Sequence, residues 1–343
     1  MKTKPLVSVT MLVYNNEAFL RDSIESILNQ TYKNFELLIL SAETTNKESL
    51  AIINSFSDPR VVHIRRDAAS AYITGARNLG LDRSRGVYIA HMDSDDIALP
   101  RRLETEVKFM EKHKDIAIAG SYAKTFGAKN GIIMRNPLRH EEIKANLLFH
   151  TSMVNPTVIM RKDAVCLRKI RYDNSLKYSE DLDFWSRATH EVKFANIPKV
   201  LLFYRTHEKQ LTHQEKDVQE NGRDKIFQKQ LDKLGIASDD KKRTAYKAIR
   251  TFRAEEATQD FLKTAEEWLK SIVSINLPNG TYEQEALKRV LAKEWLNLCR
   301  LSVRKMGANA WKIFWRSEIR HWLKKEPRAL GRTTKFYCAA LWA

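Results

Sequence analysis

The chain has 343 residues, 43% of them hydrophobic, which is enough for two domains of ordinary size and excludes global disorder. Its 59 Lys and Arg against 42 Asp and Glu give a formal net charge of +17, which points to an anionic partner: nucleic acid, a membrane surface or a phosphorylated substrate. Cys166, Cys299 and Cys338 form neither a metal-ligand spacing nor a disulfide framework, as expected in a reducing compartment.

Met1-Lys2-Thr3-Lys4-Pro5 leads into a strand-like run and not a signal peptide. Leu6 to Val13 reads as a first buried strand, and Tyr14-Asn15-Asn16 as a turn. Between Glu17 and Gln30, Phe19, Leu20, Ile24, Ile27 and Leu28 recur at helical spacing. Phe35–Leu40 is a second strand, Glu48–Ser57 a helix, Val61–Ile64 a third strand and 72–84 another helix. A fourth strand delivers Asp93. This alternation predicts an α/β fold with a doubly wound, mostly parallel sheet. Beyond Pro100 the pattern predicts a helix over 101–113, strands near 116–126, 132–134, 156–161, 193–196 and 200–204, and a helix over 184–190. From residue 208 the chain reads as helical: 214–233, 240–256, 258–274, 283–304 and 308–325. No apolar run reaches the length of a membrane span, so the expectation is a cytoplasmic protein, soluble or peripheral on the inner face of the plasma membrane.

The most informative stretch is Tyr88-Ile89-Ala90-His91-Met92-Asp93-Ser94-Asp95-Asp96. Apolar residues run straight into three carboxylates. Carboxylates at the end of a buried strand are costly unless a cation meets them. A divalent metal held by one or two carboxylates usually completes its shell with substrate phosphates, which suggests a metal–nucleotide site at the carboxyl end of a strand. The alternative is an acidic cap for the helix near Pro100. A second acidic cluster, Ser179-Glu180-Asp181-Leu182-Asp183, opens a helix, where the helix dipole alone would favour acids.

Taken in order, these blocks resemble a family 2 glycosyltransferase of the inverting GT-A type over residues 6–207. The landmarks are Val7-Ser8-Val9, Val13-Tyr14-Asn15, Ser26 to Tyr32, Gly75-Ala76-Arg77-Asn78-Leu79-Gly80, Tyr88 to Asp96, Asn155-Pro156-Thr157-Val158, Glu180 to Trp185 and Tyr204-Arg205-Thr206-His207. The resemblance implies a nucleotide-sugar donor, UDP by default, and Mg²⁺ or Mn²⁺. It places the donor on Val13, Tyr14, Asn15, Glu43, Arg77, Asp93 and Ser94, and the metal on Asp95 with Asp93 and His207. Asp181 becomes the base that takes the acceptor's proton. The acceptor expected is a surface polysaccharide or lipid-linked saccharide of bacterial type. Two departures stand out. Ser41-Ala42-Glu43-Thr44-Thr45-Asn46 lacks the family's base-contacting Asp, and His91 and Asn155 replace a usual Arg and His.

The expected organisation is a nucleotide-sugar-binding half over 1–100, an acceptor-binding half over 101–212 and a basic helical region over 213–343. A nucleotidyltransferase and a non-catalytic homologue are the alternative functions. No zinc spacing, RNA-binding aromatic motif or helix-turn-helix pattern supports nucleic acid as the partner. In the tail, Trp311, Phe314, Trp315, Ile319 and Trp322 share one face of the expected 308–325 helix, and Lys312, Arg316, Arg320 and Lys324 the adjoining face. That pattern fits a helix lying on an anionic membrane, or equally a stripe buried against the protein.

Overall fold

The structure is a computed structural model that describes residues 4–66, 72–207, 216–236 and 240–323. β1 (Val7–Val13), β2 (Phe35–Ser41), β3 (Val61–Arg65) and β4 (Tyr88–Asp93) pair in parallel in the order 3-2-1-4. The crossovers are α1 (Glu17–Leu28), α2 (Lys47–Asn54) and α3 (Ile73–Arg83). Val7, Val9, Met11 and Val13 share one core cluster with Leu20, Ile24 and Ile27 of α1. The alternate residues face α3. There a Cβ on Gly80 would sit 3.2 Å from side-chain atoms of both Leu40 and Thr10, which would have to give by a few tenths of an ångström, so the glycine eases the close approach of the helix. The period of two in β1 thus explains why both of its faces are apolar or hydroxylic, as a doubly covered strand requires.

Beyond β4 the sheet becomes mixed. β8 (Ile159–Arg161) runs antiparallel to β4 and to β6 (Ile116–Gly127), while β9 (Lys193–Thr206) runs parallel to β6. Two short strands, β5 (Ile97–Ala98) and β7 (Ile133–Met134), pair with β9 and β6. The two strands expected over 193–204 are one. Pro198 and Lys199 bulge out between Ile197, opposite Ser121, and Val200, opposite Tyr122, so the strand continues past a residue that cannot donate to the ladder. Helices α4 (Arg102–Lys112), α5 (His140–Asn146), α6 (Lys162–Cys166) and α7 (Glu180–Ala188) complete this half. The α5 and α6 segments were not expected, because each is too short to show a period.

The described residues divide into two compact units: Met1–Ile143 with Thr151–Arg223, and Lys144–His150 with Asp224–Ala343. The second is helical. Its elements are most of α8 (Lys216–Lys233), then α9 (Asp240–Arg250), α10 (Gln259–Asn279), α11 (Gln284–Met306) and α12 (Ala308–Arg316). Within it Tyr246 packs on Phe149, Phe227 and Trp268, and His150 Nε2 lies 2.8 Å from Glu294 Oε1. Among the described residues no helix is long and apolar enough to cross a membrane.

The expected 308–325 helix is corrected. α12 stops at Arg316, and Ser317 turns extended, its hydroxyl donating to Glu266 Oε1 at 2.8 Å; a 3₁₀ segment, Glu318–Leu323, follows. Trp311, Phe314 and Ile319 are buried in the second unit, with α12 and the 3₁₀ segment on α11, while Trp315 stays 40% exposed. The stripe therefore belongs to a protein core and offers no continuous face to a bilayer. Lys324 lies outside the described residues.

Candidate active site

Sheet register assembles one edge from distant sequence. Val13 pairs with Ser41, Ser41 with Arg65, and Leu12 with Asp93, so the carboxyl ends of β1 to β4 lie together. Val13 is fully buried and its carbonyl accepts from Ala42 N at 3.2 Å, so it anchors the turn that follows. Tyr14 is exposed. Asn15 takes φ +44°, a conformation asparagine tolerates, and its Oδ1 accepts from Asn46 N at 2.7 Å. Asn16 Nδ2 donates to Ser94 Oγ at 2.9 Å, tying this turn to the acidic one. Glu43 is exposed, and its main-chain oxygen accepts from Arg65 Nη2 at 2.9 Å. Ser41 is buried, with Oγ 2.8 Å from His63 Nε2.

The three acids after β4 have three environments. Asp93 Oδ1 accepts from Arg77 Nη2 at 3.3 Å. Asp95 Oδ2 lies 3.1 Å from His207 Nε2, and burial followed by the charge of Asp93 raises its pKa. Asp96 is fully buried; its Oδ1 accepts from Arg205 N at 2.8 Å, Oδ2 has no partner, and burial holds its pKa well above the carboxylate range. Asp96 is thus a buried acid that holds the end of β9 and not a helix cap; the residue preceding α4 is Arg101.

The end of β9 holds this turn. Arg205 Nε donates to the Asp95 carbonyl at 2.7 Å, while its guanidinium lies 4.2 Å from the Phe19 ring centroid and 4.4 Å from that of Phe126. His207 packs on the same Phe19 ring, 5.0 Å between centroids. A cation stacked between two rings and bonded to a carbonyl has little rotamer freedom left. Below, Arg102 Nη2 donates to the His91 carbonyl at 2.6 Å and Nε to Glu106 Oε1 at 2.9 Å, a fully buried pair supporting β4.

The second acidic cluster opens α7. Ser179 is left-handed at φ +60°, so Glu180, Asp181 and Asp183 fall in the first turn. Asp181 is half-buried and its Oδ1 accepts from Leu182 N at 2.7 Å. Burial raises the pKa of Asp181. Glu180, buried and facing the charge of Asp181, is raised to about 7. Asp183 is bound by Arg187, Nη2 to Oδ2 at 2.7 Å, and takes no part in the site. Trp185 is fully buried, its ring 5.1 Å from Phe184 and 6.3 Å from His91, so it is packing beneath the site and not a stacking surface. His91 is buried beside Asn155 Oδ1 at 3.2 Å, and burial together with the charge of Arg77 keeps it neutral. Arg77 joins the two clusters. It is buried, bonded to Asp93 and within reach of the charge on Glu180, and its Nε and Nη1 have no hydrogen-bond partner among the described residues.

Among the described residues no three His, Cys, Asp or Glu side chains converge into a complete metal chelate. A divalent ion here would take several ligands from a diphosphate and water, as Mg²⁺ commonly does. The residues fit such an ion. Asp95 keeps one oxygen beyond its contact with His207, and burial first, then the charge of Asp93, disfavours its ionised form until a cation arrives.

The model of glycosyl transferase family 2 matches residues 8–168. MJ1057, an uncharacterized glycosyltransferase of Methanocaldococcus jannaschii, is 38% identical over 210 residues, which is 59% of this chain and 71% of that one. The chain belongs to glycosyltransferase family 2. WfaP of Escherichia coli, a UDP-Glc:α-D-GlcNAc-diphosphoundecaprenol β-1,3-glucosyltransferase, is 30% identical over 203 residues, covering 59% of this chain and 78% of WfaP. In fold, the chain is similar to S. aureus TarS 1–349 in complex with UDP-GlcNAc, with TM-score 0.57, 13% identity, and 88% and 92% of the two chains covered. The architecture is therefore GT-A and the protein is an enzyme, a glycosyltransferase; the nucleotidyltransferase alternative falls away.

Of the residues the sequence singled out, the structure brings Arg77, Asp93, Ser94, Asp95 and His207 together, with Glu180 and Asp181 reached through Arg77. Sequence reasoning missed Asn16, which holds Ser94, and the Phe19–Arg205–Phe126 stack. Alternation along Tyr204-Arg205-Thr206-His207 was the available signal: Arg205 and His207 had to share a face.

Proposed function

We propose that this glycosyltransferase is an inverting, metal-dependent enzyme that moves a sugar from a UDP-sugar to a hydroxyl of a surface-polysaccharide or lipid-linked saccharide acceptor. The observation that carries this reading is the pairing of two carboxylate clusters, the strand-end acids around Asp95, which His207 meets, and Glu180–Asp181 at the start of α7, with buried Arg77 bonded to Asp93 and within reach of the charge on Glu180.

In this reading Asp181 takes the proton of the acceptor hydroxyl. The acceptor oxygen forms its bond to the anomeric carbon on the face opposite the diphosphate, while the bond from that carbon to the diphosphate oxygen breaks and the nucleoside diphosphate leaves. Asp95, with Asp93 and His207, would hold Mg²⁺ or Mn²⁺, which when bound supplies positive charge to the diphosphate. Arg77 presents two unpaired N–H donors to the same region. Tyr14, exposed at the edge of β1, is available to the nucleobase. The E. coli relative uses UDP-glucose, acts on a diphosphoundecaprenol-linked sugar and makes a β linkage, which supports donor, acceptor class and stereochemistry alike.

The test is a panel of nucleotide sugars incubated with the purified protein and Mn²⁺, reading nucleoside diphosphate release. Release from a UDP-sugar, suppressed by chelator, is expected. Turnover confined to another nucleotide, or untouched by chelator, would overturn that part of the assignment.

A further inference from the structure

We propose that the helical second unit binds a lipid phosphate, its phosphate held in a cationic cavity between α8 and α9 and its hydrocarbon chain in an apolar trough between α9 and α10. The inference deepens the lipid-linked acceptor reading above and rests on it for the role of the lipid.

The sequence of α9 sets up two faces. Arg243, Lys247 and Arg250 recur at spacings of four and three, while Thr244, Ala245, Ala248 and Ile249 fill another part of the helix surface. The first set meets α8 and, with Asp224 and Phe227, lines a cavity of about 180 Å³. Three cations there face a single carboxylate. Arg250 Nη2 donates to Asp224, and Lys247 Nζ lies 2.6 Å from Asp224 Oδ2. Arg243 Nη2 reaches outward to Asp232 at 3.4 Å. The Arg250 side chain is only 5% exposed, with its guanidinium 4.0 Å from the Phe227 ring centroid. Its Nε is buried and has no hydrogen-bond partner among the described residues. Positive charge that one carboxylate does not balance, with a buried donor left over, favours an anionic oxygen ligand.

The second set meets α10. Apart from two threonines, the lining is apolar: Ala245, Ala248, Ile249, Phe261 and Ala265 wall a trough of about 440 Å³. The alanines leave this space open. Ile249 and Ala265 are buried at its floor, Thr244 and Thr264 are exposed at its rim, and Phe261 is held by stacking on Phe252, 4.7 Å between centroids. Thr244 borders the cavity and the trough alike. Lys247 and Ala248 are its neighbours on the helix surface, three and four residues on. A ligand seated on Lys247 therefore reaches the trough past one small side chain.

Charge complementarity chooses the occupant. A bare hydrocarbon leaves the three cations unmet, and a bare phosphate leaves the trough in water. A nucleotide finds no open ring to stack on, since Phe227 and Tyr246 are buried. A phosphate carrying one hydrocarbon chain meets both requirements.

The test is calorimetric titration of the full chain with farnesyl phosphate, beside farnesol and inorganic phosphate. Farnesyl phosphate should bind, and each half-ligand at least about 10-fold more weakly. Lys247→Ala, which removes one exposed cation, and Ala248→Leu, which fills the trough, should each weaken farnesyl phosphate by roughly 10- to 100-fold, the scale of one lost hydrogen bond to a charged group, with thermal midpoints near wild type. Farnesol binding equally well would reduce the site to an apolar surface, and inorganic phosphate binding equally well would reduce it to an anion cavity; either overturns the proposal. Undetectable binding, or Lys247→Ala binding like wild type, overturns it too. Binding that depends on both residues, in an enzyme that transfers sugar to no lipid-linked acceptor, would uphold the site and overturn the acceptor reading instead.

Discussion

His207 Nε2 lies 3.1 Å from Asp95 Oδ2 although 112 residues separate them in the chain. This contact closes the end of β9 over the acidic turn after β4. It joins the strand that follows α7 to the turn that follows β4. The shared element is Phe19, on which both His207 and Arg205 pack.

The first prediction follows from that contact. Asp95→Asn keeps the shape of the side chain and removes the charge that a divalent ion needs. Activity should vanish, and Mn²⁺ should no longer raise the thermal midpoint in the presence of UDP. A variant that still shows the Mn²⁺–UDP shift would place the metal elsewhere.

Asp181→Asn should cut kcat by roughly 10²- to 10⁴-fold, the range of a general base, while UDP binding stays near wild type. The pH profile adds a sign. The base must be ionised, and both members of the Glu180–Asp181 pair are raised, Glu180 to about 7. Wild-type turnover should therefore climb as pH rises through neutrality and level above it. A profile already flat from pH 5 upward would contradict this assignment.

Glu180 also makes a stability prediction. Its folded pKa is raised from 4.5 to about 7, so the folded state holds the proton more tightly than the unfolded chain. The stabilisation is present below the unfolded value and is lost as pH rises through about 7. Glu180→Gln should accordingly raise the midpoint at pH 8, by no more than about 3 kcal/mol of stability, and leave it nearly unchanged at pH 5. Thermal melts of both proteins at the two pH values check it; a larger gain at pH 5 would reverse the sign.

The buried tail makes the fourth. Phe314 is fully buried in the second unit. Phe314→Ala should cost about 3–5 kcal/mol, the usual penalty for emptying a core aromatic site, seen as an early unfolding transition in urea. Liposome sedimentation provides the contrast: an interfacial stripe would leave folding intact and reduce only vesicle binding. Unchanged unfolding would return the stripe to the membrane reading.

The sequence by itself determined much of the first half of the fold. Period-two runs such as Val7–Val13 bury both faces, helical runs such as Phe19–Leu28 bury one, and their alternation leaves few other topologies. It also singled out Asp93–Asp95 and Glu180–Asp181 as groups that need a partner, because carboxylates after apolar runs are costly unless a cation meets them. What only tertiary structure decided was partnership. Asp96 looked like its neighbours, yet it is fully buried, the amide of Arg205 reaches it and burial pushes its pKa up. Glu180 looked secondary to Asp181, yet burial beside that charge moved its pKa to about 7. Two strands became one, because a bulge at Pro198 lets pairing with β6 resume. The 308–325 stripe had a clear period but no stated partner. Ser317 broke the helix, and α11 supplied the surface that buried Trp311, Phe314 and Ile319. Periodicity says which side chains must leave water together. It does not say what they meet, since that depends on contacts between residues far apart in the chain.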